Sequence, residues 1–184
     1  MNQTLAFDHA GDLPDVLENV TFDELRIGQS AQLTRTLAAH DVLSFAAVSG
    51  DINPAHLDPV YAADTPMRTI VAHGMWTGTL FSAVFGNQLP GLGTIYLEQS
   101  LRFRRPVRVG DTITVQVVVR AKHEEKKHVE FDCSVTNQHG ETVVLGTARV
   151  LAPTRKLRHE RMKLPKFRLL KVPHVAEAPQ PMAA

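Results

Sequence analysis

The sequence predicts one domain of the α+β class, in which a curved antiparallel sheet wraps around a long central helix. Two observations predict this architecture. A segment with helical periodicity runs from Gly74 to about Gln88 and is apolar on nearly all sides, so it should be buried. Segments in which apolar and polar residues alternate, which is typical of strands with one buried face, then occupy most of residues 97–151. The apolar faces of these strands need a covering layer, and the helix can supply it.

Length and composition limit the class of protein. A chain of 184 residues is long enough for one well-packed domain and short for two. The net charge of +1 is not the signature of a nucleic-acid-binding protein, and a single cysteine excludes an internal disulfide framework. We find neither a signal peptide nor an apolar stretch of membrane-spanning length, so we expect a soluble cytoplasmic protein with no membrane partner.

We divide the chain into three segments. Residues 1–20 are predicted to be a flexible leader, residues 21–153 the folded domain, and residues 154–184 a basic tail or linker that also contains proline and alanine. The basic residues of the tail, opposed by one acid at Glu160, are Arg155, Lys156, Arg158, Arg161, Lys163, Lys166, Arg168 and Lys171. Such a run is typical of a solvated tail, and contact with phosphate or a join to another domain are the alternatives.

The first half of the domain contains the predicted site. Residues 29–37 alternate weakly and predict a first strand. Helical spacing then predicts a helix that starts near His40 or Asp41 and stops at Gly50, in a left-handed conformation. Pro54 should hold residues 51–56 as a rigid loop and not as a continuation of that helix, and residues 59–63 are expected to form a short helical turn.

The second half of the domain contains the remaining strands. Leu97, Gln99, Leu101 and Phe103 are expected to share one face of a strand that begins the series. Further strands are predicted from the apolar alternation of residues 113–119 and 129–135 and from residues 142–151, with a turn at residues 137–140. Cys133 falls on an apolar strand face, so we interpret it as an inert small hydrophobic residue.

Three polar side chains directly after the first helix indicate a catalytic site. Asp51, Asn53 and His56 lie within one short loop, where a carboxylate and an imidazole can hold one water molecule and exchange protons with it. Asn53 offers both a donor and an acceptor to orient the other two. Gly74, at the first turn of the long helix, has a backbone N–H free to receive an oxyanion.

Here the chain resembles a known family. The run Ser49-Gly50-Asp51-Ile52-Asn53-Pro54-Ala55-His56, preceded by the aromatic Phe45, is similar to the signature of the MaoC-like, (R)-specific enoyl-CoA hydratases, known as hydratase-2. Ala72-His73-Gly74-Met75 and the stretch from Leu101 to Asp111 look like two further elements of that family. The resemblance covers roughly residues 21–153 and implies the hot-dog fold.

The resemblance also implies a function. The family adds water to a trans-2-enoyl thioester to give the (R)-3-hydroxyacyl thioester, or catalyses the reverse dehydration. The implied catalytic residues are Asp51, His56, Asn53 and Gly74. The implied substrate is an acyl-CoA or an acyl carrier protein thioester, with coenzyme A present only as part of the substrate, and no cofactor or metal is required. A homodimer or larger homo-oligomer is expected, because a lone sheet of this kind has an open edge. Similar domains occur fused to phosphate acyltransferases.

Substrate contacts are expected around the catalytic groups. The candidates are Ser49, His73, Met75, Trp76, Tyr61, Arg104 and Arg105. The two arginines are candidates for binding the phosphates of coenzyme A, although arginines on strand surfaces are common. Trp76 and the other aromatic residues of the long helix also suit a packing role, as do Tyr61, His73 and Gly74.

Several alternatives remain open at this point. Asp51 and Asn53 are residue types that also favour turns without any catalytic role. With His56 and either His73 or Asp58, they would provide ligands for a metal. A thioesterase of the same fold would cleave the thioester, and a non-catalytic module would only bind acyl-CoA. Acyl length, the preferred carrier and the direction of the reaction are not predicted.

Overall fold

The computed structural model describes residues 13–164, together with the short strands Thr4–Leu5 and Phe167–Arg168. The strands in chain order are β1 (Thr4–Leu5), β2 (Val16–Glu18), β3 (Ser30–Thr36), β4 (Ile95–Phe103), β5 (Thr112–His123), β6 (His128–Asn137), β7 (Thr142–Leu151), β8 (Arg158–Glu160) and β9 (Phe167–Arg168). The helices are α1 (Ala39–Ser49), α2 (Pro54–Leu57), α3 (Pro59–Ala63) and α4 (Gly74–Asn87). No helix in this described part is both long and apolar enough to cross a membrane.

The main sheet is antiparallel throughout and has the strand order β3-β5-β6-β7-β4. Alternate residues of β5 and β6 are fully buried, as their sequence periodicity predicts. These residues are Ile113, Val115, Val117, Val119, Val129, Phe131, Cys133 and Val135. They form one hydrophobic cluster with α4, so the predicted α+β hot-dog architecture is confirmed.

The central helix α4 is buried on one side and open on the other. Seven of its residues are buried, among them Phe81, Val84 and Phe85. The prediction of burial on nearly all sides was wrong for the opposite stripe, where Met75 and the small residues at positions 79, 82 and 86 are exposed. A single five-stranded sheet covers only one side of a helix.

Strand β4 lies at the edge of the sheet and pairs only with β7 among the described strands. Its apolar residues are partly exposed in place of being fully buried, because an edge strand lacks a neighbour on one side. Ile95, Leu97 and Phe103 belong to the large exposed hydrophobic residues of the chain. The other edge strand, β3, exposes polar residues.

The ordered unit is wider than the predicted boundaries at residues 21 and 153. β2 of the leader pairs with β8 of the tail, and Asn19 between them is 1% exposed. The Asn19 side chain donates to the carbonyl oxygens of Leu92 and Arg155 and accepts from the N–H of Leu157. This asparagine therefore attaches the ends to the loop after α4, a long-range contact that composition cannot predict. β1 of the leader likewise pairs with β9 of the tail, and residues 1–3, 6–12, 165–166 and 169–184 lie outside the described residues.

The N-terminus of α1 is held by a buried ion pair. Asp41 is buried, accepts the N–H of Ala38 at 3.0 Å and pairs with the Arg35 guanidinium at 2.5 Å. The carboxylate in the first turn also complements the positive end of the helix dipole. The guanidinium lies 5.5 Å from the ring centre of Trp76, so this contact connects β3, α1 and α4.

Candidate active site

The site begins where α1 ends. Gly50 has φ +75°, the left-handed conformation predicted for it, and its N–H donates to the carbonyl oxygen of Ala46. The Ser49 hydroxyl donates to the carbonyl of Phe45 at 2.7 Å and accepts the N–H of Asp51 at 3.2 Å. Ser49 therefore positions the Asp51 backbone at the exit of the helix, and the Asp51 carboxylate is left exposed.

Asn53 organises the loop through its side chain and its backbone. Its side-chain oxygen caps the one-turn helix α2 by accepting the N–H of Ala55 at 3.0 Å. The backbone N–H of Asn53 donates to the Asp51 carboxylate at 3.2 Å. The prediction that residues 51–56 form a loop was therefore wrong from Pro54 onward. Proline suits the first position of a helix, and an asparagine before it supplies the cap.

His56 is oriented by a backbone carbonyl. Its Nδ1 lies 2.8 Å from the carbonyl oxygen of Val71. A carbonyl only accepts, so Nδ1 carries the hydrogen and Nε2 carries the lone pair of the neutral ring. The structure thus presents His56 as a proton acceptor through Nε2.

His73 supports both members of the pair. Its ring stacks on that of His56 with the centres 3.9 Å apart, and its Nε2 donates to the backbone carbonyl of Asp51 at 3.0 Å. Phe45 packs against the ring at a centre distance of 5.0 Å. His73 is buried, and its Nδ1 has no hydrogen-bond partner among the described residues. Its observed contacts support the loop, and its contact with substrate stays a prediction.

The fold brings the acid and the imidazole together. Asp51, His56 and His73 each present one oxygen or nitrogen atom within 4.8 Å of the others. One water molecule bridges two groups up to about 5.6 Å apart, through two hydrogen bonds of about 2.8 Å. The same trio matches the metal alternative in ligand type, whereas Asp58 lies outside it and caps α3 through the N–H groups of residues 60 and 61.

Gly74 stands next to this cluster because it directly follows His73. It is exposed as the first residue of α4, and its N–H has no acceptor among the described residues. A side chain at this position would meet the ring of Phe103 at 3.3 Å. Gly74 therefore fits both interpretations. Its N–H is available to receive an oxyanion, and its lack of a side chain permits the close contact with Phe103.

A cleft of about 280 Å³ opens beside Gly74, between α4 and the end of β4. Its lining includes Phe103, Arg104, Arg105 and Thr77. Arg104 is exposed there, and Arg105 pairs with Glu141 at 3.2 Å, so at least part of its charge is already neutralised. Both predicted arginines therefore lie at the cleft, in a position to meet an anionic ligand.

Three other predicted contacts are placed differently. Met75 is exposed on the open stripe of α4, and Tyr61 is exposed on α3. Trp76 is 4% exposed and belongs to the hydrophobic core, as its packing role requires, and its contact with substrate stays a prediction. Its position, two residues after Gly74, turns it toward the sheet and away from the cleft.

Phe103 and Thr77 are among the cleft residues that sequence reasoning missed. Phe103 was assigned to a strand face with no role at the site, although it packs on Gly74. Thr77 had no signal, because a lone threonine in an apolar helix resembles any other helix residue. The surroundings of Phe103 and Thr77 depend on how β4 packs across α4, which only the tertiary structure shows.

Comparisons with known proteins agree on one family. The family model described as "MaoC like domain" matches residues 24–141. The chain is 45% identical over 134 residues to an (R)-specific enoyl-CoA hydratase of Rhodospirillum rubrum, covering 73% of this chain and 92% of that protein. It is 41% identical to a 3-hydroxybutyryl-CoA dehydratase of Methylorubrum extorquens, over 78% of this chain and 90% of the other. The solved R-hydratase PhaJ1 of Pseudomonas aeruginosa superposes with a TM-score of 0.79 at 44% identity, covering 86% of this chain and 99% of that one.

Proposed function

Since the chain belongs to the MaoC-like domain family, we propose that it is a hydro-lyase that converts trans-2-enoyl-CoA to (R)-3-hydroxyacyl-CoA and catalyses the reverse dehydration. The observation that carries this proposal is the convergence of Asp51 and His56 beside Gly74, whose N–H has no acceptor in the described part of the chain. Relatives with this activity are 45% identical over most of their length. Substrate class and stereochemistry come from those relatives, and the mechanism comes from the residues.

The Asp51 and His56 pair activates water. Both groups accept a proton, the carboxylate through oxygen and the imidazole through Nε2, and they hold one water molecule between them. One accepts a proton from the water as its oxygen bonds to the β-carbon of the enoyl group. The pair then returns one proton to the α-carbon, so water is added overall and the enzyme is restored. We assign the two transfers to the pair and not to either residue alone.

Negative charge builds on the thioester oxygen when the β-carbon is attacked. The N–H of Gly74 is free and lies at the positive end of the 14-residue helix α4. A donor at such a position typically contributes about 3 to 4 kcal/mol to a reaction of this kind.

The exposed apolar edge of β4 supports a homodimer. Ile95, Leu97 and Phe103 are exposed on this edge, and the open stripe of α4 includes the exposed Met75. A second copy that pairs along β4 would cover both surfaces and continue the sheet. Size-exclusion chromatography with light scattering tests this assembly, and a monomer at all concentrations would contradict it.

Arg104 and Arg105 at the mouth of the cleft are our candidates for binding the phosphates of coenzyme A. Charge reversal at Arg104 should raise KM for acyl-CoA and leave KM for a short pantetheine thioester unchanged. Equal KM changes for both substrates would show that Arg104 does not bind the phosphates of coenzyme A. A cytoplasmic location and a fused phosphate acyltransferase domain remain predictions.

The proposal is tested by incubating the protein with crotonyl-CoA and longer trans-2-enoyl-CoA substrates. The assay follows the loss of the conjugated enoyl absorbance, the appearance of free thiol and the chirality of the product. We expect hydration to the (R)-alcohol without thiol release. Thiol release would identify a thioesterase, and binding without either signal would identify a non-catalytic module.

A further inference from the structure

Thr77 is a buried polar residue that the mechanism above does not use. It lies on α4 three residues after Gly74 and is 2% exposed. It lines the same cleft as Gly74, Phe103 and Arg104. The small accessible part of Thr77 therefore opens into the volume next to the predicted oxyanion position.

The Thr77 hydroxyl has no hydrogen-bond partner among the described residues, unlike that of Thr79, which donates to the carbonyl of Trp76 at 2.7 Å. It is also not among the fully buried unpaired polar atoms of that part of the chain, so its oxygen retains some access to the cleft. A hydroxyl in such a buried residue normally has a protein partner, because an unsatisfied one is costly. An unpartnered hydroxyl facing a cleft suits a bound ligand.

Helix geometry places the Thr77 side chain on the same face of α4 as Gly74. Residues three apart lie on the same face of an α-helix, and side chains lean toward the helix N-terminus. Thr77 thus leans over the first turn of α4, where the N–H of Gly74 is free. Both residues line the same cleft.

We propose that Thr77 is a second hydrogen-bond donor to the substrate thioester oxygen, acting together with the Gly74 N–H. This inference rests on the proposed hydratase function and adds a residue to it. The hydroxyl donates to the oxygen as negative charge accumulates there, and no covalent bond to the threonine forms. Its acceptor capacity remains free for a bound water.

The first test compares Thr77→Val with Thr77→Ser. Valine has nearly the same shape and lacks the hydroxyl, whereas serine retains it. We expect kcat for enoyl-CoA hydration to fall by about a hundredfold in Thr77→Val, with KM raised by no more than about fivefold, and both to stay within a few fold in Thr77→Ser. Thr36→Val, an exposed threonine of β3 remote from the cleft, is the matched control and should keep full activity.

The second test separates this inference from the proposed function because it needs no turnover. Calorimetry compares butyryl-CoA, which has the thioester oxygen, with S-butyl-CoA, which lacks it. The preference of the wild type for butyryl-CoA should drop about fivefold in Thr77→Val, by loss of one hydrogen bond. An unchanged preference, or equal loss of activity in Thr77→Val and Thr77→Ser, would refute the role of Thr77. Absence of hydration in the wild type would refute the proposed function instead.

Discussion

Replacing Asp51 by asparagine separates the chemistry of the site from its architecture. The side chain is exposed, and its one observed hydrogen bond, from the N–H of Asn53 at 3.2 Å, can also be accepted by an asparagine oxygen. The backbone carbonyl that accepts from His73 is untouched. The substitution therefore removes the basic carboxylate and leaves its supports in place.

The expected magnitudes follow from these contacts. An exposed carboxylate with one retained hydrogen bond contributes little to folding, so the free energy of unfolding should change by less than about 0.5 kcal/mol. Loss of a proton-transfer group should lower kcat by about a hundredfold to ten-thousandfold. Asp51→Asn combined with His56→Gln should cost little more than the worse single change, because the two groups act as one unit.

The assay is hydration of the best enoyl-CoA substrate under saturating conditions, with urea unfolding of each variant in parallel. Asp58→Asn is the matched control, since it is the same chemical change seven positions further along the chain. Asparagine caps a helix as well as aspartate does, so α3 should remain intact and activity should remain at the wild-type level.

Two results would refute the reasoning. Full activity in Asp51→Asn would remove the carboxylate from the mechanism. Fully additive losses in the double variant would show that Asp51 and His56 act on separate steps and do not share one water molecule.

Three further predictions concern the rest of the fold. Asn19→Ala leaves three backbone partners unpaired and should lower the free energy of unfolding, measured with urea, by about 3 kcal/mol. A change below about 0.5 kcal/mol would show that these hydrogen bonds do not stabilise the fold. Burial raises the pKa of the Cys133 thiol to about 12, so a thiol reagent should label it only after denaturation, and rapid labelling of the native protein would contradict its burial. The hydrogen bond from the Thr21 backbone, followed by that from Lys156, lowers the pKa of Glu24 from 4.5 to about 2. Because folding lowers this pKa, ionised Glu24 stabilises the folded protein fully above pH 4.5, and this stabilisation is lost as the pH falls toward 2. The wild type should therefore have a higher Tm than Glu24→Gln by a constant amount above pH 4.5, and the difference should disappear near pH 2.

Much of the fold was predictable because its signals are local. The end of α1 at Gly50 follows from the conformational freedom of one residue, and the strands follow from alternation within a few neighbours. The polar set Asp51, Asn53 and His56 was equally visible, since it occupies six consecutive positions. The one-turn helix α2 was not anticipated, because proline both interrupts a preceding helix and starts a new one.

The sequence by itself therefore determined the elements and the polar residue types of the proposed site, whereas the tertiary structure decided which groups meet. His73 reaches the Asp51 carbonyl from 22 residues away, and its stacking on His56 depends on where α4 begins. The same holds for Trp76, which the sheet buries, and for Thr77, which β4 leaves facing a cleft. Residue type and periodicity describe one segment at a time, but burial and hydrogen bonding between distant segments depend on how those segments pack.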